Sequence, residues 1–322
     1  LYDVMQTDAP WQFHSLNPEG RASIVALDGK GQFLTWAKLE PGQDAETLDP
    51  RPYICRVIGK EIPIKVLSSK PWQAGLSLVA DRYGDGRVIL AGDAVHLFTP
   101  TGGFGMNTGV GDAENLHHGW AGENLVASYE AERRPVAVRN LAQSYALAQG
   151  KSSLTVPANI EDETPEGDAL RAEFGKRTEE TLAEEYFCMG IQLGARYDSS
   201  PLVDIAAESA PPPESSPFDY VPTAYPGGRA PHAWLADGTA LFDHFGKGFT
   251  VLRLAGDADI QPLRDAAAAK GVPFSDFDAT GENLRDLYEA DLAVIRPDQY
   301  VGWRGNALPT DAAALVDRLR GA

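Results

Sequence analysis

Residues 87–116 combine a short apolar run, a Gly-Asp pair and a glycine-rich loop, and these features together restrict the fold. The apolar run at residues 87–91 is typical of a strand buried in a parallel sheet. Gly92 ends the run, which puts Asp93 at the carboxyl end of the strand. Because ligands of open α/β sheets bind at this edge, the segment predicts a ligand site between the strand and the next helix.

Three glycines follow the predicted strand: Gly102, Gly103 and Gly105. They allow the backbone to approach a flat or anionic group closely. The first turn of the next helix offers N–H groups that have no partner within the helix. The helix itself is indicated by apolar residues at helical spacing, which are Met106, Val110, Ala113 and Leu116.

This region closely resembles the second flavin-binding motif of the FAD-dependent aromatic hydroxylases, the para-hydroxybenzoate hydroxylase family. The matching stretches are residues 92–96 (GDAVH), 100–109 (PTGGFGMNTG) and 112–116 (DAENL). Residues 128–135 (SYEAERRP) are similar to the helix that follows this motif in the phenol hydroxylase branch.

The resemblance implies roles for individual residues of the loop. Asp93 matches the residue that holds the ribityl chain of FAD, and a carboxylate suits this role because it accepts hydrogen bonds from hydroxyls. Pro100 matches the proline whose backbone lies beside the isoalloxazine ring. The backbone N–H groups of Met106 and Asn107 match those that face the flavin N1 and O2 edge, where a helix N-terminus favours negative charge. The predicted FAD-binding residues are Gly92, Asp93, Pro100, Gly102, Gly103, Gly105, Met106 and Asn107.

The activity that the resemblance implies is hydroxylation of a phenolic or related small aromatic substrate. Its cofactor is FAD, its co-substrates are O2 and either NADPH or NADH, and a homodimer is compatible with the family. The chemistry belongs to the cofactor, which the protein positions and shields. The sequence identifies no catalytic base. It also predicts no metal site, because the adjacent His117 and His118 point about 100° apart on a helix and cannot easily chelate one ion.

Charge and composition exclude several other classes of function. The chain has a net charge of −18 over 322 residues, which argues against nucleic acid and anionic membranes as partners. No apolar run approaches the roughly 20 residues that cross a bilayer, and no signal-type segment opens the chain. We therefore expect a cytoplasmic protein. Cys55 and Cys188 are the only cysteines, and we expect both to be buried thiols.

The predicted fold class is α/β (α+β), with a partial FAD-binding and substrate domain of the para-hydroxybenzoate hydroxylase fold followed by a thioredoxin-like α/β domain. The predicted segments are residues 1–80, an antiparallel substrate-domain sheet; 81–150, the second FAD-binding motif and its helices; 151–227, a helical segment and linker; and 228–322, the thioredoxin-like domain. No cysteine follows Cys188, so this domain lacks the Cys-x-x-Cys pair of thioredoxins. We expect it to have a structural or dimer-supporting role.

Alternating patterns predict the individual elements. In the first segment they are a three-stranded meander at residues 11–16, 22–27 and 33–39, and a helix at 50–57. Longer helices are predicted up to residue 148 and over 164–185. The last segment has strands at 250–254 and 273–277, helices at 261–270 and 311–320, and a hairpin at 292–296 and 301–304. Trp36, Trp72 and His14 are candidates to line the substrate pocket, or they belong to the core, as alternating aromatic residues usually do.

Two departures from the family lead to an alternative function. Nothing before Gly92 resembles the strand, Gly-x-Gly-x-x-Gly turn and helix that bind the ADP half of FAD, and the chain opens at Leu1 instead of Met. The helix after residue 116 is also shorter than in the family. We therefore expect the carboxy-terminal part of a longer protein. The alternative is a non-catalytic fragment or interaction module of such an enzyme. His96 either touches the cofactor or packs beneath it.

Overall fold

The computed structural model describes residues 1–5, 9–39, 42–72, 75–116, 123–206 and 211–322. These residues form two compact units. The first unit comprises Leu1–Ala74 and Gly150–Leu182, and the second comprises Gly75–Gln149 and Ala183–Ala322. His117 and His118 lie outside the described residues, and the four-segment domain division stays a prediction.

The elements are numbered in chain order. The strands are β1 (Gln12–Asn17), β2 (Gly20–Ala26), β3 (Phe33–Ala37), β4 (Leu78–Val79), β5 (Gly84–Asp85), β6 (Val88–Ile89), β7 (His96–Leu97), β8 (Phe249–Arg253), β9 (Phe274–Asp278), β10 (Leu292–Ile295) and β11 (Val301–Gly305). The helices are α1 (Tyr2–Met5), α2 (Arg51–Ile58), α3 (Phe104–Leu116), α4 (Glu123–Ser153), α5 (Pro165–Tyr186), α6 (Met189–Leu193), α7 (Gln261–Ala269), α8 (Arg285–Tyr288) and α9 (Ala312–Arg320). Short 3₁₀ turns cover Gly92–Ala94 and Leu241–His244.

The first unit is built on an antiparallel sheet in the order β1-β2-β3, which confirms the predicted meander. Side chains alternate between the two faces of a strand, and one face packs against α2. Its core consists of Phe13, Ala22, Ile24 and Val57. The end of α2 is tied to β1 because the Val57 carbonyl accepts hydrogen bonds from Ser15 Oγ at 2.6 Å and Asn17 Nδ2 at 2.8 Å.

The opposite face of this sheet carries His14, Ser23 and Trp36 in one cross-strand row. His14 is exposed, and Trp36 has an exposed fraction of 39%. Trp72 is 62% exposed. The interpretation of these three residues as core is therefore wrong, because the core of this unit lies on the other face of the sheet. Their role in a substrate pocket stays a prediction.

The predicted strand at residues 87–91 is wrong in its partner and in its burial. Only β6 is extended there, and it pairs antiparallel with β5 across a tight turn. Val88 is 65% exposed. A buried parallel strand needs a neighbour on each side, whereas β6 pairs only with β5 in the described part of the chain. Nearby, β4 pairs antiparallel with β7.

The helix predicted after the glycine loop is confirmed as α3, but its apolar stripe faces outward. Met106 is 77% exposed and Val110 is 62% exposed. The buried residues are instead Phe104, Thr108, Asp112 and Asn115. The next helix, α4, runs through Pro135 and continues beyond the predicted end at residue 148. The helix predicted over residues 164–185 is confirmed as α5, and Thr164 caps its start because its Oγ1 accepts the Gly167 N–H at 3.1 Å.

The last hundred residues contain a four-stranded sheet in the order β11-β10-β8-β9. The β8 and β9 strands are parallel and are joined through α7, whereas β10 pairs antiparallel with both β8 and β11. Every predicted strand and helix of this segment is present within one or two residues of its predicted bounds. The thioredoxin-like assignment stays a prediction.

Both cysteines are buried, as predicted. Burial raises the pKa of the Cys188 thiol, which lies against Phe104 in a small apolar cluster. None of the helices in the described ranges combines the length and the apolar character that a bilayer crossing needs.

Candidate functional site

The Gly-Asp pair forms a short turn that lies directly against α3. Gly92 has a φ of +59°, in the left-handed region that favours glycine. A Cβ on Gly109 would stand only 3.3 Å from the Gly92 Cα, so two glycines permit the close approach of turn and helix. Asp93 is exposed, and its side chain has no hydrogen-bond or ion-pair partner among the described residues. The turn therefore presents a free carboxylate.

The glycine-rich loop has two consecutive residues with positive φ. Gly102 has a φ of +88° and Gly103 a φ of +65°. A Cβ on Gly102 would meet the Phe104 ring at 2.6 Å, whereas one on Gly103 would have no atom within 4 Å. The Gly102 N–H donates to Glu185 Oε1 at 3.0 Å. The loop is thus packed at Gly102 and leaves open space at Gly103.

The start of α3 follows Gly103 directly. Met106 and Asn107 are exposed, and Asn107 Nδ2 donates to the Gly103 carbonyl at 2.9 Å. N–H groups in the first turn of a helix have no intrahelical partner, and the helix dipole favours negative charge there. Pro100, also exposed, follows Thr99, whose carbonyl accepts Ser144 Oγ at 3.0 Å. The loop is thereby anchored to α4.

A buried carboxylate holds the turn and the helix together. Asp112 Oδ2 accepts the Gly92 N–H at 3.1 Å and lies 2.7 Å from His96 Nε2. Its Oδ1 accepts Arg133 Nε at 2.9 Å. Burial alone would raise the pKa of Asp112, but the His96 hydrogen bond and the Arg133 charge hold it below its ordinary value. Asp112 therefore serves as an anionic hub beneath the turn.

Of the two roles considered for His96, contact with the cofactor or packing beneath the loop, the structure shows the second. The whole residue is 1% exposed, and its Nδ1 has no hydrogen-bond partner among the described residues. The proton on Nε2 is assigned from the neighbouring Asp112 carboxylate, which requires a donor.

A second buried carboxylate lies one residue before Arg133. Glu132 accepts Arg296 NH1 at 2.6 Å and NH2 at 2.9 Å, a bidentate pair. It also accepts Asn115 Nδ2 at 2.6 Å and the Ser200 hydroxyl. Burial would raise the pKa of Glu132, but the Arg296 charge and these hydrogen bonds lower it. Glu132 is thus fully satisfied although it is completely buried.

The eight sequence-predicted FAD-binding residues are distributed over the Gly92–Ala94 turn, the glycine-rich loop and the first turn of α3. Gly103 and the side chains of Asp93, Pro100, Met106 and Asn107 are exposed, while Gly92, Gly102 and Gly105 are partly buried. Their role in FAD binding stays a prediction. An exposed carboxylate, a helix N-terminus and a space that a Cβ would fill are compatible with a flavin.

The sequence reasoning gave no role to Asp112, Glu132 or Arg133, and it did not single out Arg296. One signal was present: Thr108, Asp112 and Asn115 recur at helical spacing, opposite the apolar stripe of α3. In the described ranges, no three His, Cys, Asp or Glu side chains come together as a metal site.

Comparison with known families agrees with this geometry. The family described as FAD binding domain matches residues 56–144, which include the turn, the glycine loop and α3. The family described as aromatic-ring hydroxylase, C-terminal, matches residues 223–322, which include the four-stranded sheet. We call these residues the C-terminal domain.

Individual relatives are flavin-dependent monooxygenases. The chain is 35% identical over 312 residues to the FAD-dependent monooxygenase opdD of Penicillium oxalicum (strain 114-2 / CGMCC 5302), covering 88% of this chain and 58% of the relative. It is 28% identical over 305 residues to the phenol 2-monooxygenase of Pseudomonas sp. (strain EST1001), covering 81% of this chain and 49% of the relative. The chain therefore spans about half the length of these relatives.

Two solved structures are similar to this chain in fold. RebC soaked with chromopyrrolic acid and containing 7-carboxy-K252c matches with a TM-score of 0.81 and 35% identity, over 93% of this chain and 57% of that one. The flavin-dependent monooxygenase PieE, in complex with FAD and substrate, matches with a TM-score of 0.77 and 25% identity, over 96% and 61%. Residues 56–144 therefore belong to the FAD-binding domain family, and residues 223–322 belong to the C-terminal domain family of the aromatic-ring hydroxylases.

Proposed function

We propose that the loop at residues 92–107 holds the ribityl chain and the ring of FAD in a monooxygenase that hydroxylates a phenolic or related aromatic compound. The reaction would use O2 and either NADPH or NADH. When bound, the flavin supplies the redox and oxygen-transfer chemistry. The chain's own contribution is to bind and orient it.

The observation that carries this proposal is the free carboxylate of Asp93 on a turn that packs against α3. Asp93 is exposed and would accept hydrogen bonds from the ribityl hydroxyls. The first turn of α3 would donate to the pyrimidine edge of the ring and favour negative charge there. The space beside Gly103 allows a flat group to lie against the backbone.

Three measurements on the purified protein test the hydroxylase proposal: flavin retention, NADPH or NADH oxidation, and incorporation of oxygen from O2. We expect the protein to retain yellow flavin through desalting and to oxidise NADPH or NADH faster when a phenol is added. With ¹⁸O₂, the hydroxylated product must carry the label, because only a monooxygenase incorporates an atom of O2. An unlabelled product would indicate an oxidase or dehydrogenase on the same scaffold.

The alternative, a non-catalytic fragment or interaction module, is distinguished by the same preparation. A colourless chain whose unfolding temperature does not change with added FAD would favour it for these 322 residues. FAD binding without turnover would leave the site proposal standing and restrict activity to a longer protein.

Location, assembly and domain roles complete the proposal. We propose a cytoplasmic enzyme that forms a homodimer, with segments 1–80, 81–150, 151–227 and 228–322 as its substrate sheet, flavin motif, helical linker and thioredoxin-like domain. Cell fractionation tests the location, and light scattering of the purified protein tests the dimer. A single monomeric mass across the accessible concentration range would contradict the dimer.

A further inference from the structure

A buried arginine of the C-terminal domain contacts α4, the second helix of the flavin motif. Arg296 follows β10 and is 5% exposed. Besides its bidentate pair with Glu132 on α4, it donates to Asp298 through Nε at 3.1 Å and NH2 at 2.8 Å. A buried guanidinium between two carboxylates has little freedom of orientation, because any other position strands a charge.

Two routes lead from Arg296 to α3. The first passes through Glu132, which accepts Asn115 Nδ2 near the C-terminal end of the helix. The second passes through Tyr197, whose ring lies 5.2 Å beneath the Arg296 guanidinium and whose hydroxyl accepts Arg133 NH1 at 3.3 Å.

The second route ends at the flavin turn. Arg133 Nε donates to Asp112, and Asp112 accepts the Gly92 N–H. Tyr197 also stacks on Tyr300, with ring centroids 4.0 Å apart and an interplanar angle of 16°. Gly111 leaves room for the Arg133 guanidinium, since a Cβ there would stand 2.6 Å from NH2. The contacts are thus continuous from the C-terminal domain to the backbone of Gly92.

We propose that Arg296 is a positioning residue of the flavin site, through which the C-terminal domain holds α3 by way of Glu132 and fixes the turn at Gly92 and Asp93 by way of Tyr197, Arg133 and Asp112. The inference rests on the proposed function in one respect, namely that this turn holds the flavin. It gives the C-terminal domain a role that requires neither a redox pair nor contact with substrate.

Hydrogen exchange of the Gly92 amide tests the network directly and needs no flavin. In Arg296→Met we expect this amide to exchange about tenfold faster, because its hydrogen bond to the charged Asp112 carboxylate is weakened. We expect the dissociation constant of FAD to rise by a similar factor. The matched control is Arg304→Met, which removes an arginine of β11 in the same domain that pairs with Glu289 at 2.9 Å. It should change neither quantity by more than about twofold.

A double variant separates positioning from general destabilisation. Arg296→Met alone strands the buried charges of Glu132 and Asp298. Glu132→Gln with Arg296→Met removes both charges of the bidentate pair and keeps the side-chain volumes similar. Asp298 then loses its partner in both variants, and because burial raises the pKa of this carboxyl, it can relieve the loss by taking up a proton. We expect the double variant to fold and to retain fast Gly92 exchange. If Arg296→Met does not fold, the double variant carries the test.

Three results would overturn the inference. They are unchanged Gly92 exchange in a folded Arg296 variant, wild-type exchange in the double variant, and equally fast exchange in Arg304→Met. Failure of the wild-type protein to bind FAD would contradict the proposed function but not the network, because the exchange measurement still decides the latter.

Discussion

Asp93 differs from the other carboxylates of its neighbourhood because it is exposed and free, whereas Asp112 and Glu132 are buried and fully paired. Buried carboxylates position elements, because removing one of their partners strands a charge. An exposed, unpaired carboxylate on a rigid turn is available to a ligand. The local environment therefore separates the residues that hold the loop from the one that the loop presents.

Replacing Asp93 with Ala should weaken FAD binding without unfolding the protein. Hydrogen bonds to a charged group are worth about 1.5–3 kcal/mol, so we expect the dissociation constant to rise roughly tenfold to a hundredfold. The stability should change by less than about 0.5 kcal/mol because the side chain is exposed. Flavin fluorescence titration measures the first quantity and urea unfolding the second. Asp85→Ala, on an exposed side chain of β5, is the control, and equal affinities in all three proteins would contradict the role of Asp93.

Met106 is expected to act through its backbone. Its side chain is 77% exposed, so Met106→Gln should alter stability by less than about 0.5 kcal/mol. FAD affinity should change by less than about threefold, because the N–H group and the helix N-terminus are retained. Urea unfolding checks the stability, and flavin fluorescence titration checks the affinity. A loss as large as that of Asp93→Ala would show that the thioether itself contacts the flavin.

At the scale of elements, the glycine loop offers a matched pair of substitutions. Gly102 and Gly103 both have positive φ, so alanine costs about 1 kcal/mol in backbone strain at either position. Only at Gly102 would the new Cβ meet the Phe104 ring, which is buried and cannot easily shift. We therefore expect Gly102→Ala to be less stable than Gly103→Ala by a further 1–3 kcal/mol or so in denaturant unfolding.

The two variants should rank differently in FAD affinity and in stability. Gly102→Ala should be the less stable protein, whereas Gly103→Ala should be the weaker binder of FAD. Gly103→Ala fills the open space beside the loop, and it should therefore weaken flavin binding more than its small effect on folding suggests. Equal stability of the two variants would mean that the Phe104 ring yields without cost. Unchanged affinity in a folded Gly103→Ala protein would place the flavin elsewhere.

The sequence predicted elements better than it predicted which faces they bury. The strands and helices of the C-terminal domain follow local alternation, and each lies close to its predicted bounds. The α3 helix was also predicted from its apolar periodicity, but two of the residues that form this periodicity, Met106 and Val110, are exposed. Asp112 resembles a surface charge in a sequence, because its partners are His96, 16 residues before it, and Arg133, 21 residues after it. Pairing over such separations leaves no local pattern.

The misassigned strand at residues 87–91 has a related cause. Its apolar composition is that of a buried parallel strand, yet Val88 is 65% exposed and β6 pairs only with β5 within the described ranges. Composition reports how apolar a segment is and not which partner covers it. The FAD-binding residues of the loop were assigned by resemblance to a family motif, and their role stays a prediction. The structure shows that two of them, Gly102 and Gly103, have the positive φ that favours glycine.

On the scale of the whole molecule, the second unit contains buried carboxyl groups whose pKa values are shifted in opposite directions. The pKa values of Asp112 and Glu132 are lowered, since paired cations outweigh burial. Burial raises the pKa of Asp298, and the nearby Arg296 only partly offsets this. For the first two carboxyls, the unfolded chain binds more protons as the pH falls below about 4.5, so their stabilisation is lost there. Asp298 contributes the reverse dependence.

This opposition predicts different pH profiles for two variants, each measured by urea unfolding between about pH 3 and pH 6. Asp112→Asn should be less stable than wild type at neutral pH, because Arg133 loses its anionic partner. Its stability should also fall less steeply toward acid, by up to about 1.4 kcal/mol per pH unit, because one titrating group with a lowered pKa is gone. Asp298→Asn should instead give a steeper fall, because the group that offsets the loss has been removed. Parallel profiles of unfolding free energy against pH for the two variants would mean that Asp112 and Asp298 do not individually govern the acid stability of the unit.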